Sequence, residues 1–271
     1  MKSLWLKASL SIVLVGVFGF TAAAASQPPV PNSAQIVEQA RHTYYSLKTA
    51  GLDEFQSTVK PNWEIVLRDQ LTTSPENAHA ALKLLNGLHF SMLLDKDGKV
   101  TMSHHADIEP SNDKQREGFD QIYSGMDQAV SGFFATWSMF MLNSPFPAAE
   151  TEYQLENVGG QYRLSYKDGS SDIVILMSKD LTISEVKVTS AEFTSSVLPK
   201  FTRTAKGLVL TGYAADYKPT SGPGVVKLDV KMEHQPVDGL QLPVSLIVDS
   251  VLDGAPTHIE LAFSGHQVKS H

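Results

Sequence analysis

Apolar and polar residues alternate most regularly over 225–232, where Val226, Leu228, Val230 and Met232 share one face of a strand and Lys227, Asp229 and Lys231 take most of the other. The same period of two predicts strands at 153–158, 161–166, 172–177, 181–189, 208–217, 225–235, 242–251 and 257–263. Val158-Gly159-Gly160, Lys167-Asp168-Gly169, Ser178-Lys179-Asp180, Val237-Asp238-Gly239 and Leu252-Asp253-Gly254 separate them with residues that tolerate tight or left-handed turns. Such a sheet is apolar on one side and wet on the other, so what covers the apolar side decides the function.

The first half of the chain reads differently. Ile36, Ala40, Tyr44 and Leu47 fall at helical spacing after a cap at Asn32 or Ser33, and Gly51 is expected to close that helix. Phe55, Ser57 and Val59 alternate before Pro61 and predict a short strand, and residues 63–67 suit a helical turn. Ser74-Pro75-Glu76-Asn77 opens a second helix running to about Asn86, with Gly87 ending it. Residues 88–94 and 99–104 flank Asp95-Lys96-Asp97-Gly98 as a hairpin. The most apolar helix spans 113–143, with Ile122, Met126, Val130, Phe133, Trp137, Phe140 and Met141 on one broad stripe, and Pro145 and Pro147 beyond its end. Strand runs on either side of these helices indicate an α+β fold with one domain over 33–271.

Lys2 and Lys7, the apolar run 8–20 and Thr21-Ala22-Ala23-Ala24-Ala25 read as a secretory signal, cleaved after Ala24 or Ala25 and followed by a linker over 26–32. The apolar run is shorter than the ~20 residues of a membrane-crossing helix. The chain has no cysteine, hence neither the residue that anchors a bacterial lipoprotein nor a disulfide. A periplasmic or secreted protein is expected. Loss of Lys2 and Lys7 from the 22 basic residues leaves 20 against 29 acidic ones, a net charge of −9 that disfavours nucleic acid and anionic lipid headgroups as partners.

Residue patterns for catalysis are weak. His104 and His105 point to opposite faces of any strand and cannot share an ion without a bend, so no metal is expected there. Ser124-Gly125 and Ser131-Gly132 lack the preceding glycine of a nucleophile elbow, and Ser221-Gly222-Pro223-Gly224 lacks the Lys-Ser/Thr of a phosphate loop. Glu150/Glu152 and Asp113/Glu117 read as solvated charges. Neither enzyme activity nor a cofactor is expected. The Met- and Phe-rich helix carries more apolar surface than one sheet contact uses, and Met92, Met102, Met177 and Met232 fall on strands that could face the same space, a composition suited to a flexible apolar guest.

The order of elements resembles the periplasmic lipoprotein-carrier superfamily: an N-terminal helix, a hairpin, an apolar helix pair, then a long antiparallel meander containing Val237-Asp238-Gly239-Leu240-Gln241-Leu242-Pro243 and two more strands. The resemblance implies a strongly curved, half-open antiparallel β-barrel with helices packed in its concave face and an apolar cavity for acyl chains. It also implies a buried latch arginine, for which the sequence offers no matching position and only Arg41 and Arg68 as unsupported options. The expected ligand-lining residues are Met92, Phe133, Trp137, Phe140, Met141, Leu228, Val230 and Met232, in a monomer whose partner is a lipid or other hydrophobic small molecule. The alternative is an envelope protein-interaction or stress-sensor module with the same barrel and a filled interior.

Overall fold

Each strand predicted beyond residue 152 is present, and one more lies among them. The computed structural model describes residues 32–222 and 224–271, so the signal segment 1–25 and the linker up to residue 31 lie outside the described residues. The order is α1 (Ser33–Thr43), β1 (Leu52–Pro61), α2 (Trp63–Val66), α3 (Arg68–Thr73), α4 (Pro75–Leu85), β2 (Leu88–Asp95), β3 (Val100–Ala106) and α5 (Asp113–Met141). Nine strands follow: β4 (Tyr153–Val158), β5 (Gln161–Asp168), β6 (Ser171–Met177), β7 (Ile183–Thr189), β8 (Phe193–Thr204), β9 (Gly207–Pro219), β10 (Val226–Val237), β11 (Leu240–Leu252) and β12 (Ala255–Ser270).

All twelve strands form one antiparallel sheet in the order β3-β2-β1-β12-β11-β10-β9-β8-β7-β6-β5-β4. From β4 to β12 it is a meander, each strand pairing with the next. β1 docks on β12, with Val59 opposite Phe263, and the β2–β3 hairpin extends that side. β3 and β4 are the two edges, and the sheet is open. The Asp238-Gly239 and Asp253-Gly254 turns take positive φ at both residues (48° and 83°; 49° and 85°), the geometry whose twist matches a two-residue hairpin.

Two local expectations fail. The first helix ends at Thr43: Tyr44 is extended (φ −96°, ψ 142°) and bridges Leu208 of β9, so Tyr44 and Leu47 leave the helical face assigned to them. Tyr45 N–H donates to Leu208 O at 3.0 Å and Leu47 N–H to Met141 O at 2.8 Å, bonds that an uninterrupted helix would forfeit. The second is β8, which the periodicity misses because Ser195, Ser196 and Pro199 dilute it. Pro199 is tolerated because the β7–β8 ladder stops at Val197, leaving only the β9 side paired.

The ladder between β9 and β10 also stops, at Gly212 opposite Lys231, although β9 runs on beside β8 and β10 beside β11. Residues 44–47 lie beside β9 beyond that point. A Cβ on Gly212 would lie 2.5 Å from Val230 O, so glycine is required where the two backbones close up. Among the described residues no helix is long and apolar enough to cross a membrane.

Candidate functional site

Helix α5 begins with a true cap, Asn112 Oδ1 accepting the Gln115 N–H at 3.0 Å, and its exposed first turns give way to a largely buried second half. From Phe133 to Leu142 only Ala135 is exposed and Met139 half-buried. Phe134 packs on Phe55 of β1 and Phe263 of β12, with ring centroids 5.9 and 5.8 Å apart. Trp137 meets Phe55 and, on its other side, His234 of β10. Phe140 packs edge-on against Phe201 of β8 at 5.8 Å, and Met141 Sδ accepts the Leu210 N–H of β9 at 3.3 Å.

Seven of the eight expected lining residues, Met92, Phe133, Trp137, Phe140, Met141, Val230 and Met232, are buried in this one apolar cluster, and Leu228 is half-buried against it. Their side chains fill the space between helix and strands. Leu228 borders an open depression across β9–β12 that it shares with Asp216, Lys227, Asp229, Asp249, Val251 and His258. A second hollow lies beside α2, between Trp63, Asn86, Leu246 and Glu260.

Four polar features inside or beside the cluster were not foreseen. His234 Nε2 accepts the Trp137 indole N–H at 3.1 Å, which places the proton of the neutral ring on Nδ1, and that buried nitrogen has no partner. Burial pushes the His234 pKa down to about 4. Thr136 and Tyr217 share a hydrogen bond of 3.0 Å. Tyr44 Oη accepts the Ile183 N–H at 2.6 Å and donates to Leu181 O at 3.0 Å, and Tyr45 Oη accepts the Gln241 N–H at 3.1 Å. Arg41, one of the two latch candidates, pairs with Glu38 and donates to Pro147 O just beyond α5; Arg68 is exposed.

At the outer depression His258 sits between two carboxylates, Nδ1 2.6 Å from Asp249 and Nε2 3.2 Å from Glu260. Both ring nitrogens face acceptors, so the arrangement selects imidazolium, and the hydrogen bond to Asp249 raises the His258 pKa. Glu260 in turn accepts from Asn62 Nδ2 at 2.8 Å, the main cause of its lowered pKa. No nucleophile joins this group in the hydrogen bonds of the described residues. Ser124 and Ser131 are exposed on α5, and His104 and His105 face opposite ways: His104 stacks on Tyr123 at 3.8 Å and His105 on His89 at 4.7 Å.

Periodicity could find the aromatic stripe but not His234, since the Trp137–His234 bond joins residues 97 apart through tertiary structure alone. Searches against family models, curated proteins and solved structures return no match for this chain.

Proposed function

We propose that this is an exported, non-enzymatic monomer that binds a lipid or acyl chain between its sheet and helix α5, after the manner of the lipoprotein carriers its element order resembles. The sheet would form a half-open barrel with the C-terminal half of α5 in its concave face. The observation that carries the reading is the breadth of burial on α5 from Phe133 to Leu142, where only Ala135 is exposed and Met139 half-buried, more of the circumference than a flat sheet on one side covers. Phe134 touches β1 and Phe140 touches β8, strands five steps apart that a flat sheet would separate by about 24 Å, twice the width of a helix with its side chains.

The interior suits a flexible guest. Met92, Met141 and Met232 repack at small cost, and each Å² of acyl surface they cover contributes about 25 cal/mol. His234 Nδ1–H is one unpaired donor in apolar surroundings, suited to a carboxyl or ester oxygen. Because side chains occupy the interior, uptake requires the end of α5 to move with residues 44–47, which are bonded to it. The filled interior is also what favours the second reading, an envelope protein-interaction or sensor module that adds a peptide strand at edge β3 or β4.

Native mass spectrometry of residues 26–271 from an exported preparation, followed by organic extraction, separates the two. A lipid released on denaturation supports the carrier and identifies its cargo class. A ligand-free mass, together with no uptake of a fluorescent fatty acid, excludes it and leaves the interaction module.

A further inference from the structure

The two histidines adjacent in sequence at the end of β3 diverge, but the hairpin supplies His105 with a different partner. His89 of β2 lies directly opposite His105, and the two rings stack with centroids 4.7 Å apart and planes 21° from parallel. Asp107, just beyond β3, completes the group: its Oδ1 is 2.8 Å from His89 Nε2. One donor atom from each of the three residues lies within 4.8 Å of the others. We propose that His89, His105 and Asp107 form a binding site for a late first-row divalent cation, zinc above all.

The donor set fits that chemistry. Two imidazoles and one carboxylate suit zinc better than magnesium or calcium, which prefer oxygen ligands alone. A tetrahedral zinc about 2.0–2.2 Å from each donor needs them roughly 3.4 Å apart, leaving a fourth position for water. The His89–Asp107 separation of 2.8 Å is slightly shorter than this and no donor lies more than 4.8 Å from another, so side-chain rotation alone closes the site. The backbone is already held. His89 and His105 are fixed by the β2–β3 ladder, and Asp107 N–H donates to Gly87 O at 2.9 Å, pinning the carboxylate beside the start of β2.

The site lies on the face of the hairpin away from α5. Phe90 and His104, on the α5 side, meet Tyr123, whereas His89 and Asp107 keep side-chain exposures of 44% and 62%. A metal can therefore enter without disturbing the core. Bound there, it would join β2, edge strand β3 and the segment after it, stabilising the folded chain by mass action and stiffening an otherwise free sheet edge.

Isothermal titration calorimetry of the chelator-treated chain (residues 26–271) with zinc chloride tests the site. One zinc per chain is expected, with calcium in excess unable to displace it. His105→Ala and Asp107→Asn should each weaken zinc binding by about tenfold or more. His104→Ala, on the opposite face, should leave it unchanged, and a zinc-induced rise in melting temperature should vanish in His105→Ala alone of the two histidine variants. All these side chains are solvent-accessible, so the variants should keep the wild-type circular dichroism. Absence of saturable zinc uptake, or uptake equally insensitive to His105→Ala and Asp107→Asn, overturns the proposal, as does displacement by calcium.

Discussion

Trp137 donates its indole N–H to Nε2 of His234 at 3.1 Å, and the two rings stack with centroids 6.4 Å apart. The bond joins helix α5, from the cluster residue Trp137, to strand β10 and fixes the tautomer of a histidine whose other nitrogen is unpaired. Protonation of His234 puts an N–H where the indole N–H needs an acceptor, so the folded protein disfavours the charged ring.

That neutrality makes stability depend on pH. The unfolded ring takes up a proton near pH ~6.5, while the folded one resists until about 4. Above pH 6.5 neither state is charged and the full contribution is present. As pH falls from 6.5 toward 4 the unfolded state binds the extra proton, and stability drops by on the order of 3 kcal/mol in all. Urea midpoints between pH 7.5 and 4 should show this loss, and His234→Gln, which keeps an acceptor for Trp137 without the titration, should flatten the slope by about one proton. An unchanged slope would remove His234 as its cause.

Trp137 and Phe140 are 0% and 1% exposed, so truncation of either to alanine should cost about 3–5 kcal/mol in chemical unfolding. The carrier reading adds a second expectation: fatty-acid affinity should weaken as well, measured where the variant is still fully folded. Loss of stability with unchanged affinity would make both residues core only.

The sequence revealed this core because the stripe on α5 is long and consistent, and because Asp238-Gly239 and Asp253-Gly254 mark their turns by a conformational need that few residues meet. It did not reveal what depends on pairing across the chain. Tyr44 and Leu47 continue the helical spacing of Ile36 and Ala40, yet their backbones bond to β9 and α5, partners that no local window contains. β8 was hidden by Pro199, whose place is acceptable because the β7–β8 ladder has already stopped at Val197. His89 and His105 are 16 residues apart in sequence and opposite in register, a pairing that the adjacency of His104 and His105 does not disclose.

Gly212 is the residue at which β9 and β10 part, and an added methyl would strike Val230 O at 2.5 Å, a backbone atom with no rotamer to yield. Gly212→Ala should therefore destabilise by roughly 1–3 kcal/mol, whereas alanine in an unhindered strand position would be neutral or better. Hydrogen exchange should show lost protection at Val230 and Lys231 first. Wild-type stability in this variant would mean that the seam has room to open.

On the outer face, His258 bridges Asp249 of β11 and Glu260 of its own strand β12. Its folded pKa is raised, so its contribution is complete below the unfolded value near ~6.5 and disappears as pH climbs through the folded value. The sign is opposite to that of His234. Solvent screening keeps the effect small, and it is best read by NMR titration: the His258 ring should titrate above the ordinary histidine value near ~6.5, and Asp249→Asn should lower it.

Tyr44 and Tyr45 hold the segment that lies beside β9 beyond the seam. Tyr44 Oη satisfies the Ile183 N–H and Leu181 O, and Tyr45 Oη the Gln241 N–H, so each phenylalanine substitution strands polar backbone groups and should cost about 1–3 kcal/mol. Tyr44→Phe should cost more, since it loses two bonds and its Ile183 partner is fully buried. If residues 44–47 must move with the end of α5 to admit a ligand, the same variants should take up a fluorescent fatty acid faster, because the closed state loses bonds that the open state never had. Stopped-flow uptake measures this directly. Faster entry with lowered stability identifies the segment as the gate; lowered stability with unchanged entry leaves it a structural strap, and the ligand must reach the core by another path.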